Sequence, residues 1–167
     1  MKTNIIRIIL IILLLMTFSI IFGFSSQDGE ESKGLSRKIT ELITQNNEKI
    51  QSLSSQEKEE VLDRIEAVIR KIAHFSIYTI IGILLMALMC MFNIVDKTRV
   101  GITLVLGIIY AATDEFHQVF VQGRTALITD VVIDTMGVIL GILLVLLIRE
   151  IYRKIKEGKT GKILGNI

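Results

Sequence analysis

Residues 8–24 read IILIILLLMTFSIIFGF, without one charge, between a flank carrying Lys2 and Arg7 and the polar turn Ser25-Ser26-Gln27-Asp28-Gly29. An uncharged apolar run of this kind is what a helix needs to cross roughly 30 Å of hydrocarbon. Outward from it, three further apolar blocks follow, at about 72–92, 100–121 and 127–148. Although 51% of the 167 residues are hydrophobic, they gather in these blocks instead of spreading along element faces, which excludes an ordinary soluble core. The pattern predicts one all-α domain over 1–167, an integral membrane four-helix bundle rather than a soluble enzyme. The first block shares a basic start and an apolar run with cleaved signal peptides. Phe22-Gly23-Phe24, however, places bulky rings where a peptidase requires small residues, so the block reads as an uncleaved anchor.

Orientation follows lysine and arginine in short cytoplasmic segments. Arg149, Arg153, Lys154, Lys156, Lys159 and Lys162 follow the fourth span, Lys97 and Arg99 lie between the second and third, and Lys2 and Arg7 precede the first. These flanks predict cytoplasmic termini and a cytoplasmic basic tail over 149–167, which puts residues 25–71 and the turn around Gly123 outside. The tail is also suited to touching anionic headgroups. Cys90 is the single cysteine; it has no internal disulfide partner and reads as packing, with lipidation as the alternative.

The external segment carries two helical patterns. Leu35, Ile39, Leu42 and Ile43 form one, and Val61, Leu62, Ile65, Val68, Ile69 and Ile72 the other. The second opens at Ser54-Ser55-Gln56-Glu57, the spacing of a capping box. With no glycine or proline before the second span, this amphipathic helix lies on the outer leaflet, folds over the bundle mouth as a lid, or simply joins two spans.

Ionisable groups at mid-membrane cost roughly 2.5–3.5 kcal/mol each by insertion scales and therefore need partners or a purpose. Helical geometry groups Lys71, His74 and Tyr78 on one stripe, continued by Gly82. Tyr110, Asp114, His117 and Gln118 share a second, and Asp130 and Asp134 a third, continued by Gly137 and Gly141. Small residues mark close helix approach, so these stripes should face the bundle interior. The proposed topology brings all three, with Glu115 and Arg124, to the outer end, with Asp114 and Asp134 on the order of 10 Å below the interface at 1.5 Å per residue. The candidate catalytic groups are His74, Asp114 and His117. The candidate ligand-binding groups are Lys71, Tyr78, Glu115, Gln118, Arg124, Asp130 and Asp134.

Competing readings are a purely neutralising network, with Asp114, Asp130 and Asp134 matched by Arg124, Lys71 and Arg70, and a metal held by His74 and His117 with Asp114 or Glu115. No HExxH or paired-cysteine pattern supports a metal. A histidine beside carboxylates suits proton transfer. Ser25, Ser26 and Ser76 are the nearby hydroxyls, but no Gly-x-Ser-x-Gly surrounds them, and Ser76 points about 140° from Lys71 on its helix.

At these residues the chain resembles the VanZ-like family of bacterial multi-pass membrane proteins, named for a teicoplanin-resistance protein. The resemblance rests on Phe-Ser-Ser-Gln at 24–27, Lys71-x-x-His74-Phe75 with Tyr78, Asp114-Glu115-Phe116-His117-Gln118, Gly123-Arg124, and Asp130 with Asp134 and Gly137. It implies a protein of the bacterial cytoplasmic membrane connected with resistance to glycopeptide or other envelope-directed antibiotics. The expected partners are membrane lipids and an amphiphilic envelope ligand or glycopeptide-type drug, with self-association open and no cofactor or nucleic acid called for. An enzyme acting on a lipid-linked cell-wall intermediate, with His117 or Asp114 as general acid/base, is the alternative; a proton-coupled carrier would need several copies.

Overall fold

The structure, a computed structural model, describes residues 2–164, with side chains described except at 2, 29–33, 35 and 159–164. Leu35, Lys159 and Lys162 of the patterns above, and the Lys2 flank, therefore lie outside the described side chains. All regular structure among the described residues is helical: α1 (Lys2–Ser25), α2 (Gly29–Thr44), α3 (Glu48–Gln51), α4 (Ser55–Met89), α5 (Asp96–Gln118) and α6 (Ile128–Leu164). Four of these, α1, α4, α5 and α6, are long and apolar enough to cross a membrane, and they form an all-α bundle.

Helix α4 organises the fold. Its first turn carries the expected capping box: the Ser54 hydroxyl accepts from Glu57 N, and the Glu57 carboxylate accepts from Ser54 N at 3.1 Å. The amphipathic stretch and the second span that follows it are one uninterrupted helix, 35 residues long, because no helix breaker separates them. Its apolar C-terminal half packs most extensively on α6 and also meets α1 and α5, while its N-terminal half carries α2. The core is a layer of Tyr78, Ile81, Met86, Ala111, Val138 and Ile142. Outward-facing apolar side chains such as Ile8, Ile12, Leu15, Val105, Leu143 and Leu147 stay exposed, as lipid contact requires.

Glycine sets the spacing of α4 and α6. A Cβ on Gly137 would sit 2.5 Å from Phe75 O, and one on Gly141 2.6 Å from Ile83 N; Gly82 faces the Val138 backbone from the other side. The small stripe therefore marks the helix interface. At one end of the bundle Arg7 donates to Met91 O at 2.6 Å, and Asp96 pairs with Arg149 at 2.9 Å and with Arg99. The end of α1, the end of α5 and the start of α6 lie at the other.

Helix α2 docks differently from its apolar pattern. It buries Ser36, Thr40 and Thr44 and leaves Ile39, Leu42 and Ile43 exposed. The two threonine hydroxyls donate to the carbonyls four residues back, Thr40 to Ser36 O and Thr44 to Thr40 O, so they bury satisfied and let α2 approach α4 closely. The Ser36 hydroxyl donates to buried Glu66 at 3.0 Å, and Arg37 joins Glu41, Glu59 and Asp63. The Glu59 contact first, with Glu41 and Asp63 adding, raises the Arg37 pKa above its ordinary value despite partial burial.

Candidate functional site

Three helices and one loop build a polar cavity of about 380 Å³ at the end opposite Arg7 and Arg149. From α4 come Arg70, Lys71 and His74, from α5 Glu115 and Gln118, from the loop Gly123 and Arg124, and from α6 Asp130 and Asp134. Asp114 and Tyr78 lie buried beneath. Helical spacing explains the contributions of α4 and α6, since residues four apart stack on one face. Lys71 Nζ pairs with Asp130 at 3.3 Å, and one turn deeper His74 Nδ1 faces Asp134 at 3.7 Å.

The loop is held by side chains on both sides. Gly123 adopts φ 75°, a left-handed conformation that favours glycine. Arg124 then turns back and donates to Phe24 O at 2.9 Å and Gln27 O at 3.2 Å, which ties the loop to the end of α1. A longer 3.4 Å bond reaches Gln118 Oε1. Burial, followed by repulsion from Arg70, lowers the Arg124 pKa from its ordinary value, yet a guanidinium remains charged near neutrality. Glu115 Oε2 accepts from Leu127 N at 3.0 Å and so positions the entry to α6.

Burial and hydrogen bonding separate two kinds of group here. Arg70 is matched by Glu66 at 2.7 Å, and Lys71 by Asp130. By contrast, His74 Nδ1, Tyr78 Oη, Asp114 Oδ2 and both Asp134 oxygens are buried without a hydrogen-bond partner, and so are Ser25 Oγ and Gln118 Nε2. Native structures leave few such atoms, and burying a carboxylate without compensation is expensive. The neutralising network thus accounts for Asp130. It does not reach Asp114 or Asp134: among the described residues no lysine or arginine forms an ion pair with either.

His117, named with His74 and Asp114 from the sequence, takes another direction. Its ring stacks on Phe22 at 4.5 Å, and its Nε2 lies 3.1 Å from Ser26 Oγ. The Ser26 hydroxyl already donates to Phe22 O at 2.6 Å, which leaves it to accept from His117; this is an anchoring contact, not an activated nucleophile. Tyr110 also turns to α1, donating to Phe18 O at 2.9 Å. Ser76 is exposed and bonded to Ile72 O. The mixed set of His74, His117 and Glu115 does not converge; His74, Asp114 and Asp134 do, with ligand-type atoms all within 4.8 Å.

A second, mainly apolar cavity of about 200 Å³ adjoins the first, lined by residues that include Ile21, Phe24, Ile39, Ile69 and Ile77. Arg70, His74 and Arg124 belong to both walls. Sequence reasoning missed Arg70 as a wall residue and passed over Ser25 except as a nucleophile. The first had a signal, its place one residue before Lys71 on the same helix; the second had none, because its burial depends on α1 meeting its neighbours.

The VanZ/LLP1 family model matches residues 9–149. The chain belongs to the VanZ/LLP1 family. That match contains the greater part of α1, helices α2 and α3, α4, α5 and the α6 segment that carries Asp130 and Asp134, so the whole polar cavity lies within the VanZ/LLP1 region. No curated protein and no solved structure matches the chain.

Proposed function

We propose that this member of the VanZ/LLP1 family binds an anionic amphiphile of the bacterial envelope, or a drug of that character, and alters susceptibility to envelope-directed antibiotics of the glycopeptide type. The chain sits in the cytoplasmic membrane with both termini inside, and the polar cavity opens outward. One observation carries the reading: a polar cavity and an apolar one share Arg70, His74 and Arg124. An amphiphile needs this pairing, a charged rim for its headgroup and an apolar slot beside it for its chain. Lys71 and Arg124 attract the anionic group, and Gln118 and Glu115 orient it. Ile39, Leu42 and Ile43, exposed on α2, rest on the outer leaflet at the cavity's edge.

The test is retention. Protein purified in mild detergent from bacterial membranes is analysed by native mass spectrometry, beside Arg124→Ala and Asp114→Asn variants. Wild-type protein retains an anionic lipid or lipid-linked precursor that both variants lose at unchanged expression, and drug susceptibility shifts with it. Equal retention and susceptibility in all three proteins overturns the reading.

A catalytic reading is favoured by the unpartnered set of His74, Asp114 and Asp134, which has the composition of a general acid/base pair with an orienting carboxylate. With His117 committed to Ser26 and Phe22, the chemistry falls to His74 and Asp114. Turnover of lipid-linked precursors by purified protein, followed by mass, separates catalysis from binding; only stoichiometric retention counts against it.

A further inference from the structure

Below the polar cavity the three side chains His74, Asp114 and Asp134 converge from α4, α5 and α6, and the charge there does not balance. Asp134 is 0% exposed and Asp114 5%, and neither has a lysine or arginine partner among the described residues. Only His74 approaches, and at 3.7 Å from Asp134 it is outside good hydrogen-bond range. A protonated His74 would cancel one of the two carboxylates and leave three buried oxygens without donors. Beneath the cluster Tyr78 is 0% exposed, its hydroxyl is unpartnered, and it is turned toward Asp114 and Asp134.

We infer that His74, Asp114 and Asp134 hold a divalent transition-metal ion of the zinc or manganese kind. A dication with a neutral imidazole and two carboxylates makes a net-neutral site, which removes the cost that the buried acids carry alone. One nitrogen and two carboxylate oxygens favour zinc or manganese over calcium or magnesium, which prefer oxygen ligands throughout. Three protein ligands leave a position open, as in metal sites that bind a further group. That position faces the cavity, because His74 and Asp134 line its wall. The Tyr78 hydroxyl, unpartnered in this structure, is the donor that would support the Asp114 carboxylate from outside once the ion draws the ligands together. The ligand atoms lie within 4.8 Å of one another, and tetrahedral ligands of zinc stand about 3.3 Å apart, so the widest separation closes by up to about 1.5 Å when the ion binds. The close α4–α6 packing fixes His74 against Asp134.

This inference does not depend on the cavity's occupant, since metal content and lipid retention are read separately. Wild-type protein and the His74→Gln, Asp114→Asn, Asp134→Asn and Glu150→Gln variants are purified without chelator, loaded with zinc or manganese in separate experiments, desalted and analysed for metal. Wild type and Glu150→Gln, whose half-buried side chain pairs with Arg153 and Lys154 far along α6 from the cavity, retain about one equivalent. The three cavity-floor variants lose at least about nine-tenths of it. Because a floor variant can fail to fold, the wild-type protein alone is also stripped with EDTA and retitrated, and its thermal midpoint rises with the added ion. Equal metal in all five proteins, no retained metal in wild type, or no midpoint rise on retitration overturns the assignment.

Discussion

Replacing Gly141 with alanine forces α4 and α6 apart at their closest approach. The added Cβ would lie 2.6 Å from Ile83 N and 2.8 Å from Gly82 C, and it would also press on Thr79 O. Ordinary contact begins at 3.4 Å, so the backbones must separate locally by at least about 0.8 Å, the difference between 3.4 and 2.6 at Ile83 N, and by more at the nearer Thr79 O. All three obstacles are backbone atoms, which cannot rotate aside as a flexible side chain does. Overpacking of this kind costs about 1–3 kcal/mol, and the upper half of that range is expected because the strain falls on two rigid helices. The matching control is Gly101→Ala on α5, where a Cβ meets nothing within 4 Å; it should stay within about 0.5 kcal/mol of wild type. Reversible unfolding in mixed micelles, followed by helical circular dichroism, measures both variants. If Gly141→Ala and Gly101→Ala unfold at the same midpoint, the tight α4–α6 seam is not what holds His74 against Asp134, and the reasoning about the site's rigidity fails with it.

Two further outcomes follow from the same geometry. Arg37→Ala removes the contacts to Glu41, Glu59 and Asp63 and should speed backbone hydrogen exchange over residues 36–44 several-fold while the membrane half of α4 is unaffected; unchanged exchange in α2 would show that the buried threonine face alone docks it. Because the Glu59 contact raises its pKa above the ordinary guanidinium value, Arg37 keeps its charge through the neutral range, and its share of stability would be lost only as pH rises through that raised value. In a Cys90→Ser background, a thiol placed at Thr125 should react with an impermeant maleimide in intact cells, and one placed at Gly158 only after permeabilisation. The reverse pattern turns the cavity inward and removes the outer-leaflet proposal.

How far the sequence reaches is clearest on α5. The composition of the blocks is enough to find four helices, the Ser54–Glu57 spacing gives the start of α4, and the glycines that continue the polar stripes mark the α4–α6 seam. Yet Tyr110, Asp114, His117 and Gln118 form one stripe by periodicity and divide in space. At roughly 100° per residue, Tyr110 and His117 lie nearly in line, and Asp114 and Gln118 are displaced toward Ala111 and Glu115. That small angle decides the neighbour: the first pair meets α1 through Phe18, Phe22 and Ser26, and the second enters the interior with Ala111. Periodicity specifies which side of a helix is polar but not which helix stands opposite each edge of that side. The same limit explains α2, whose apolar pattern is plain and whose buried face is nonetheless Ser36, Thr40 and Thr44. A hydroxyl bonded to its own helix carries little desolvation cost, so close approach outweighs apolar burial there, and the isoleucines and leucine are left exposed. What converges beneath the cavity is accordingly a product of packing. Asp134 joins His74 because Gly137 and Gly141 let α6 lie against the α4 backbone, and a change in those two glycines should disturb the polar cluster without touching any of its members.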